Sequence, residues 1–135
     1  MKLDFAFLAD TAEVINGKLY VMGGAFDTLW LPSKPFIQPR LSLVMKIEFS
    51  PNELDRTHKL EIILMNADGK KMATVNGEVR LSRNPKSQPG YPDNFISVIN
   101  FNNLKFDDYG DYSFDVMAND TSLKSIPLRV VPTPS

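Results

Sequence analysis

Residues 107–116 read DDYGDYSFDV. From Gly110 onward the apolar positions fall on every second residue, Tyr112, Phe114 and Val116, with Asp111, Ser113 and Asp115 between them. Successive side chains leave a strand on opposite faces, so this alternation predicts a strand with one face buried. Asp108 and Gly110 precede it; Asp caps turns and Gly supplies the backbone freedom a tight turn needs. Tyr112 enters the strand pointing inward, and a buried tyrosine hydroxyl needs a hydrogen-bond partner. The spacing therefore predicts a structural corner of Asp108, Gly110 and Tyr112, in which the hydroxyl returns to a backbone group a few residues upstream.

The same period of two runs outward along the chain. In LEIILMNADGKKMATVNGEV, starting at Leu60, two strand-like runs flank Asp68-Gly69, a pairing that tolerates positive φ and signals a hairpin. Asn16-Gly17 repeats the device, and Asn119-Asp120 is a weaker instance before the final run. Eight to nine strands are expected, at 3–9, 18–22, 25–30, 41–49, 59–65, 71–79, 95–101, 110–117 and 126–131. Turn signals at intervals of roughly a dozen residues are the pattern of a β-sandwich. The only helix signal is a single turn at Ser50-Pro51, with Glu53 behind it. The fold class is all-β, an antiparallel β-sandwich in one domain over 1–131, with 132–135 as a C-terminal tail.

Two connections are irregular. Residues 31–39 (LPSKPFIQP) hold three prolines and are not expected to join a central ladder. Residues 82–94 (SRNPKSQPGYPDN) hold three more and a glycine. Long loops on a rigid scaffold are where binding residues collect. Trp30, Phe36, Tyr91 and Tyr109 lie in or beside such segments, with Lys86 in the longer loop, and form the candidate partner-binding set. Phe5, Phe7, Phe26, Phe49, Phe101 and Phe114 alternate within strands and read as core.

Composition narrows the function. At 135 residues the chain suits one domain. Fifteen basic against sixteen acidic residues give a net charge of −1, without the basic surplus that nucleic acid or an anionic membrane requires. The absence of cysteine removes disulfides, thiolate metal sites and a cysteine nucleophile. Asp4 and Asp10 break the apolar opening, so it does not read as a signal peptide, and the expected location is cytoplasmic.

Two resemblances follow from these residues. Leu104, Asp108, Gly110, Tyr112 and Phe114 resemble the immunoglobulin pattern Leu-x-x-x-Asp-x-Gly-x-Tyr-x-Cys, with Phe114 in the place of the cysteine. This implies an immunoglobulin-like sandwich held by an apolar pin. The stretch DFAFLADTAEVINGKLYVMGGAFDTLW, through Ala9, Asp10, Ala12, Gly17, Lys18, Leu19, Gly24 and Phe26-Asp27, resembles a bacterial or phage family of small single-domain proteins of unknown function. Pro127 to Val130 is similar too. That resemblance implies the fold and origin, and no activity.

Chemistry is sparse. His58, the single histidine, lies in a turn-like stretch without a nucleophile elbow and reads as an exposed loop residue. Asp107, Asp108 and Asp111 could hold a cation or serve a hydrolase, but they lack the spacing of a calcium loop and read as turn acids. Gly23-Gly24 lacks a following Lys-Ser or helix and reads as a bulge or sheet bend rather than a phosphate loop. No catalytic, cofactor or metal residues are assigned. The expected function is a non-catalytic interaction module that binds a protein partner, or a second copy, through loops or an edge strand. Alternatives are a carbohydrate or small-molecule domain using Trp30, Tyr91 and Tyr109, and a carboxylate-dependent hydrolase. If the 82–94 loop carries binding, Tyr91→Ala weakens capture of the partner in a pull-down and leaves thermal unfolding unchanged.

Overall fold

A computed structural model describes residues 1–86 and 90–134. Two sheets face each other. The first has the order β2-β1-β4-β7, with β1 Lys2–Ile15, β2 Lys18–Phe26, β4 Phe36–Phe49 and β7 Asp93–Phe106. The second has the order β3-β9-β8-β5-β6, with β3 Thr28–Leu31, β5 His58–Met65, β6 Lys71–Val79, β8 Gly110–Ala118 and β9 Thr121–Pro132. Alternation decides the inner face. Leu41, Leu43, Met45, Ile47 and Phe49 of β4 meet Leu60, Ile62 and Leu64 of β5 and Tyr112, Phe114 and Val116 of β8 in one buried cluster. Each fully buried side chain of this size contributes about 1.5–3 kcal/mol.

The corner forms as the spacing predicts. The Tyr112 hydroxyl donates to the Asp108 carbonyl at 2.7 Å, and the ring meets Phe106 edge-on at 5.0 Å. Burial pushes the phenol pKa up, which keeps the hydroxyl a donor. Phe114 of one sheet packs on Phe101 of the other at 5.3 Å between ring centroids, so an aromatic pair spans the sandwich.

The hairpins also follow the sequence. Asn16 and Gly17 have φ of 51° and 74° between the paired Ile15 and Lys18, a two-residue turn with both central residues left-handed. Asn119 and Asp120 do the same between Ala118 and Thr121, with φ of 50° and 66°. At the Asp68-Gly69 turn, the Asn66 carboxamide oxygen accepts from the N–H of Asp68 and of Lys70. Gly23 has φ of 63°, and an added Cβ would come within 2.2 Å of the Asp10 carboxylate. With Ala25 also left-handed, the β1–β2 register slips by one residue at Leu8/Ala9, so this stretch is a bulge. A single 3-10 turn occupies Pro51–Glu53.

Several elements differ from expectation. β3 runs parallel to β9, so the second sheet is mixed. Only Asp27 separates β2 from β3, and there the chain crosses between sheets; the Arg129 N–H donates to the Asp27 carbonyl at 2.7 Å. Residues 36–39 are strand, not loop: β4 pairs with β7 from Phe36 onward. Pro39 is tolerated because β1 pairs only with Ser42–Glu48, leaving the flank of β4 beyond them without a strand to receive an N–H. β9 begins at Thr121 and extends through Pro132, and the Thr133 N–H still donates to the Leu31 carbonyl, so the tail starts within the ladder. Residue 135 lies outside the described residues. Phe5 and Phe7 leave the main core and stack at 5.8 Å in a second cluster with Ala9, Ala12 and Val44.

Tyr112→Phe deletes one hydroxyl and orphans the Asp108 carbonyl. Urea unfolding is expected to show a loss of about 1–2 kcal/mol through a lower midpoint at unchanged slope. An unchanged midpoint would deny the corner its structural role.

Candidate functional site

The predicted binding residues do not converge. Phe36 opposes Phe106 at one end of β4, and Phe49 opposes Asp93 at the other. These ends are on the order of 40 Å apart for a strand of this length. Trp30, Phe36 and Tyr109 lie toward the first end and Tyr91 at the second, with Lys86 in the loop that precedes Tyr91 and its N–H on Asn84 Oδ1. Residues 87–89 of the 82–94 loop lie outside the described residues.

At the first end the aromatics are largely committed. Phe36 is half-buried against the core as the first residue of β4. Lys34 sits over the Tyr109 ring, 5.4 Å from its centroid, and donates to Asp108 Oδ1 at 2.9 Å. That hydrogen bond raises the Lys34 pKa and lowers that of Asp108. Trp30 is exposed on the edge strand β3. The acids of this corner are dispersed: Asp107 pairs with Lys105 at 3.5 Å, Asp108 with Lys34, and Asp111 with Arg129 at 3.7 Å. Among the described residues no three potential ligands gather around a common point.

The second end holds the histidine, which is not an exposed loop residue. His58 opens β5 and is only 4% exposed. Its Nε2 lies 2.7 Å from the Glu53 carbonyl, to which it donates, and its Nδ1 accepts from the Asn119 carboxamide nitrogen at 2.9 Å. The Asn119 carboxamide oxygen takes the Lys59 N–H at 3.0 Å, which fixes its orientation. Two distant turns are thereby docked on the start of β5. The partners lie five and sixty-one residues away; turn signals marked both places, but nothing in the sequence joined either to His58.

Glu53 is the strongest electrostatic feature. Burial by itself would push its carboxyl up. Hydrogen bonds from the Met1 amine and from the N–H and hydroxyl of Ser50 outweigh this and hold the carboxyl at about 2. Beside it a recess of about 530 Å³ is lined by Phe49, Pro51, Tyr91 and Pro92. Its polar rim is internally paired, Lys2 with Glu48 at 3.3 Å and Glu53 with the amine. Tyr91, 71% exposed, stands at its mouth.

The surface that sequence reasoning missed is the β1–β2 hairpin. Val14, Ile15, Tyr20, Val21 and Met22 are five of the eight large apolar side chains exposed among the described residues. Tyr20 is 54% and Met22 72% exposed. β2 is the last strand of its sheet, with β1 on one flank and, among the described residues, no strand on the other. The signal was present in KLYVM, an apolar run on both faces of a strand that borders a turn.

The chain belongs to DUF6941, a family of unknown function whose model matches residues 4–131. No curated protein matches it. Among solved structures it is similar to the C-terminal domain of wzt, at 17% identity and a TM-score of 0.52 over 98% of this chain and 74% of that one. The likeness is one of fold. Among the described residues no helix is long and apolar enough to cross a membrane.

A carboxyl depressed in the folded state stabilises the fold fully above its unfolded value, 4.5, and loses that contribution as pH falls toward about 2. Glu53→Gln is therefore expected to lower the melting temperature at pH 7 and to flatten its decline between pH 4.5 and 2. A variant whose acid limb parallels that of the wild type would remove Glu53 from this role.

Proposed function

We propose that the domain is a non-catalytic interaction module that accepts a protein strand along the free flank of β2. One observation carries this reading: the exposed apolar side chains concentrate on the hairpin whose outer strand lacks a neighbour. An added strand gains affinity from main-chain hydrogen bonds and specificity from side chains at alternate positions. The hairpin supplies both. The separation of Trp30 from Tyr91 argues against a single site built from the two irregular connections, and the internally paired acids of the corner offer no free carboxylate pair for hydrolysis. The tyrosine corner and the two facing sheets support an immunoglobulin-like sandwich; the N-terminal pattern supports a bacterial or phage origin. The cysteine-free, charge-balanced composition supports a cytoplasmic module without nucleic-acid or membrane partners.

A second reading rests on the recess beside Tyr91. Its apolar walls and exposed tyrosine suit a small apolar or carbohydrate ligand that stacks on the ring. Trp30 stands at the far end and does not report on it, so thermal stabilisation is the suitable readout.

Capture by tagged protein separates the two sites. The double variant Tyr20→Glu/Met22→Glu is expected to lose the bound protein, with Tyr91→Ala retaining it and both variants melting within a few degrees of wild type. Equal capture by the wild type and the hairpin variant would overturn the strand-acceptor reading. Stabilisation by a sugar panel that Tyr91→Ala abolishes would favour the recess instead.

A further inference from the structure

We infer that the strand accepted by β2 is β2 of a second copy of this chain, paired antiparallel about a twofold axis at Tyr20. This rests on the strand-acceptor reading and names its occupant. Ile15 and Lys18 flank a two-residue turn and exchange both backbone bonds, so the bonded pairs within the hairpin alternate as Ile15/Lys18, Glu13/Tyr20 and Thr11/Met22. The N–H and C=O groups of Leu19 and Val21 therefore point away from β1, along the open flank. An antiparallel twofold centred on Tyr20 sets Leu19 opposite Val21 of the second copy, and Val21 opposite its Leu19. All four outward donors and four outward acceptors of the pair of strands are then satisfied, using only the regular segment Lys18–Met22 ahead of the Gly23 bulge.

Side chains fit the same register. Tyr20 meets its own symmetry mate across the axis, an aromatic pair at a position where cross-strand side chains approach closely. Lys18 lies opposite Met22, so its stem covers apolar surface, and no like charges oppose one another across the new edge. Tyr20, Val21 and Met22, the exposed apolar side chains of β2 itself, offer on the order of 300 Å² per copy, so both copies with their backbone reach the size of a weak, reversible interface.

The other edges suit pairing less well. β3 has four residues. β6 carries Lys71, Gly77 and Glu78. β7 is broken at Asn103, φ 55°, and carries none of the large exposed apolar side chains that mark the β1–β2 hairpin. Short edges, charges and bulges are how sheets avoid unwanted pairing, and Lys18–Met22 has only the lysine at its start.

The chain contains no cysteine, which makes trapping clean. Under mild oxidation Tyr20→Cys is expected to form a covalent dimer within minutes, since two residues facing across the axis lie within disulfide reach. Lys105→Cys, exposed on β7, is expected to trap at least tenfold more slowly. Sedimentation velocity of the wild type is expected to show a monomer–dimer equilibrium. Val21→Pro removes an outward N–H without touching the hairpin and is expected to give a monomer with unchanged melting. Should that variant fold poorly, Tyr20→Glu sets two carboxylates on the axis and is expected to give a monomer that partly re-dimerises at high salt. A wild type that stays monomeric across the concentration range, equal trapping of the two cysteine variants, or a dimer indifferent to Val21→Pro or to Tyr20→Glu would each overturn the inference. A monomer that still captures a foreign protein through the hairpin would overturn it and leave the strand-acceptor reading standing.

Discussion

The sandwich depends on how the chain crosses from β7 in one sheet to β8 in the other. Three residues separate these strands, and the Tyr112 hydroxyl on the Asp108 carbonyl fixes their path. The same Asp108 receives Lys34 from the 32–35 connection between β3 and β4, so the crossing and a neighbouring connection share one residue. Inside the crossing, Phe106 meets the Tyr112 ring edge-on, and one layer deeper Phe101 and Phe114 bridge the sheets. Once the crossing angle is set, the alternation along β8 aims Phe114 and Val116 at β4 and β7. The buried face of β4 then has a surface to pack against. Polar satisfaction and apolar packing act at one place, which is why a ten-residue motif can determine so much of the architecture.

What was legible in the sequence is what local chemistry controls. The Asn16-Gly17 and Asn119-Asp120 turns announce themselves because few residue pairs tolerate two left-handed conformations, and Asp68-Gly69 because its glycine supplies the one left-handed residue that turn uses. Period-two alternation announced the strands, and the Asp-x-Gly-x-Tyr spacing announced the corner. What was not legible depends on which neighbour a strand acquires. Pro39 argues against a ladder only where an N–H is required, and whether β1 reaches that far along β4 is a question of register. The parallel pairing of β3 arises from a crossover at Asp27 that no local signal marks. His58 looks like a loop residue until Asn119 and the Glu53 carbonyl arrive from elsewhere in the chain to enclose it. Phe5 and Phe7 alternate correctly, yet alternation does not say which face of the first sheet is covered.

Function was less legible for a related reason. Aromatic and proline content drew attention to the two irregular connections, but the first of them is partly strand and the two lie at opposite ends of β4. The unpaired surface is instead on a hairpin whose outer strand is apolar on both faces, a pattern that also fits a buried central strand. Its exposure follows from topology: β2 comes last in its sheet, and after the bulge at Gly23 the chain departs for the other sheet rather than folding back to shield it. Membership of a family of unknown function and a shared fold with the C-terminal domain of wzt fix the scaffold and assign it no activity.

The pin between the sheets has a thermal consequence. Where a sulfur bridge would make cohesion depend on electron supply, Phe101 on Phe114 makes it depend on water. Apolar association weakens on cooling, so this contact loses strength in the cold, and in a chain without thiols it owes nothing to disulfide chemistry.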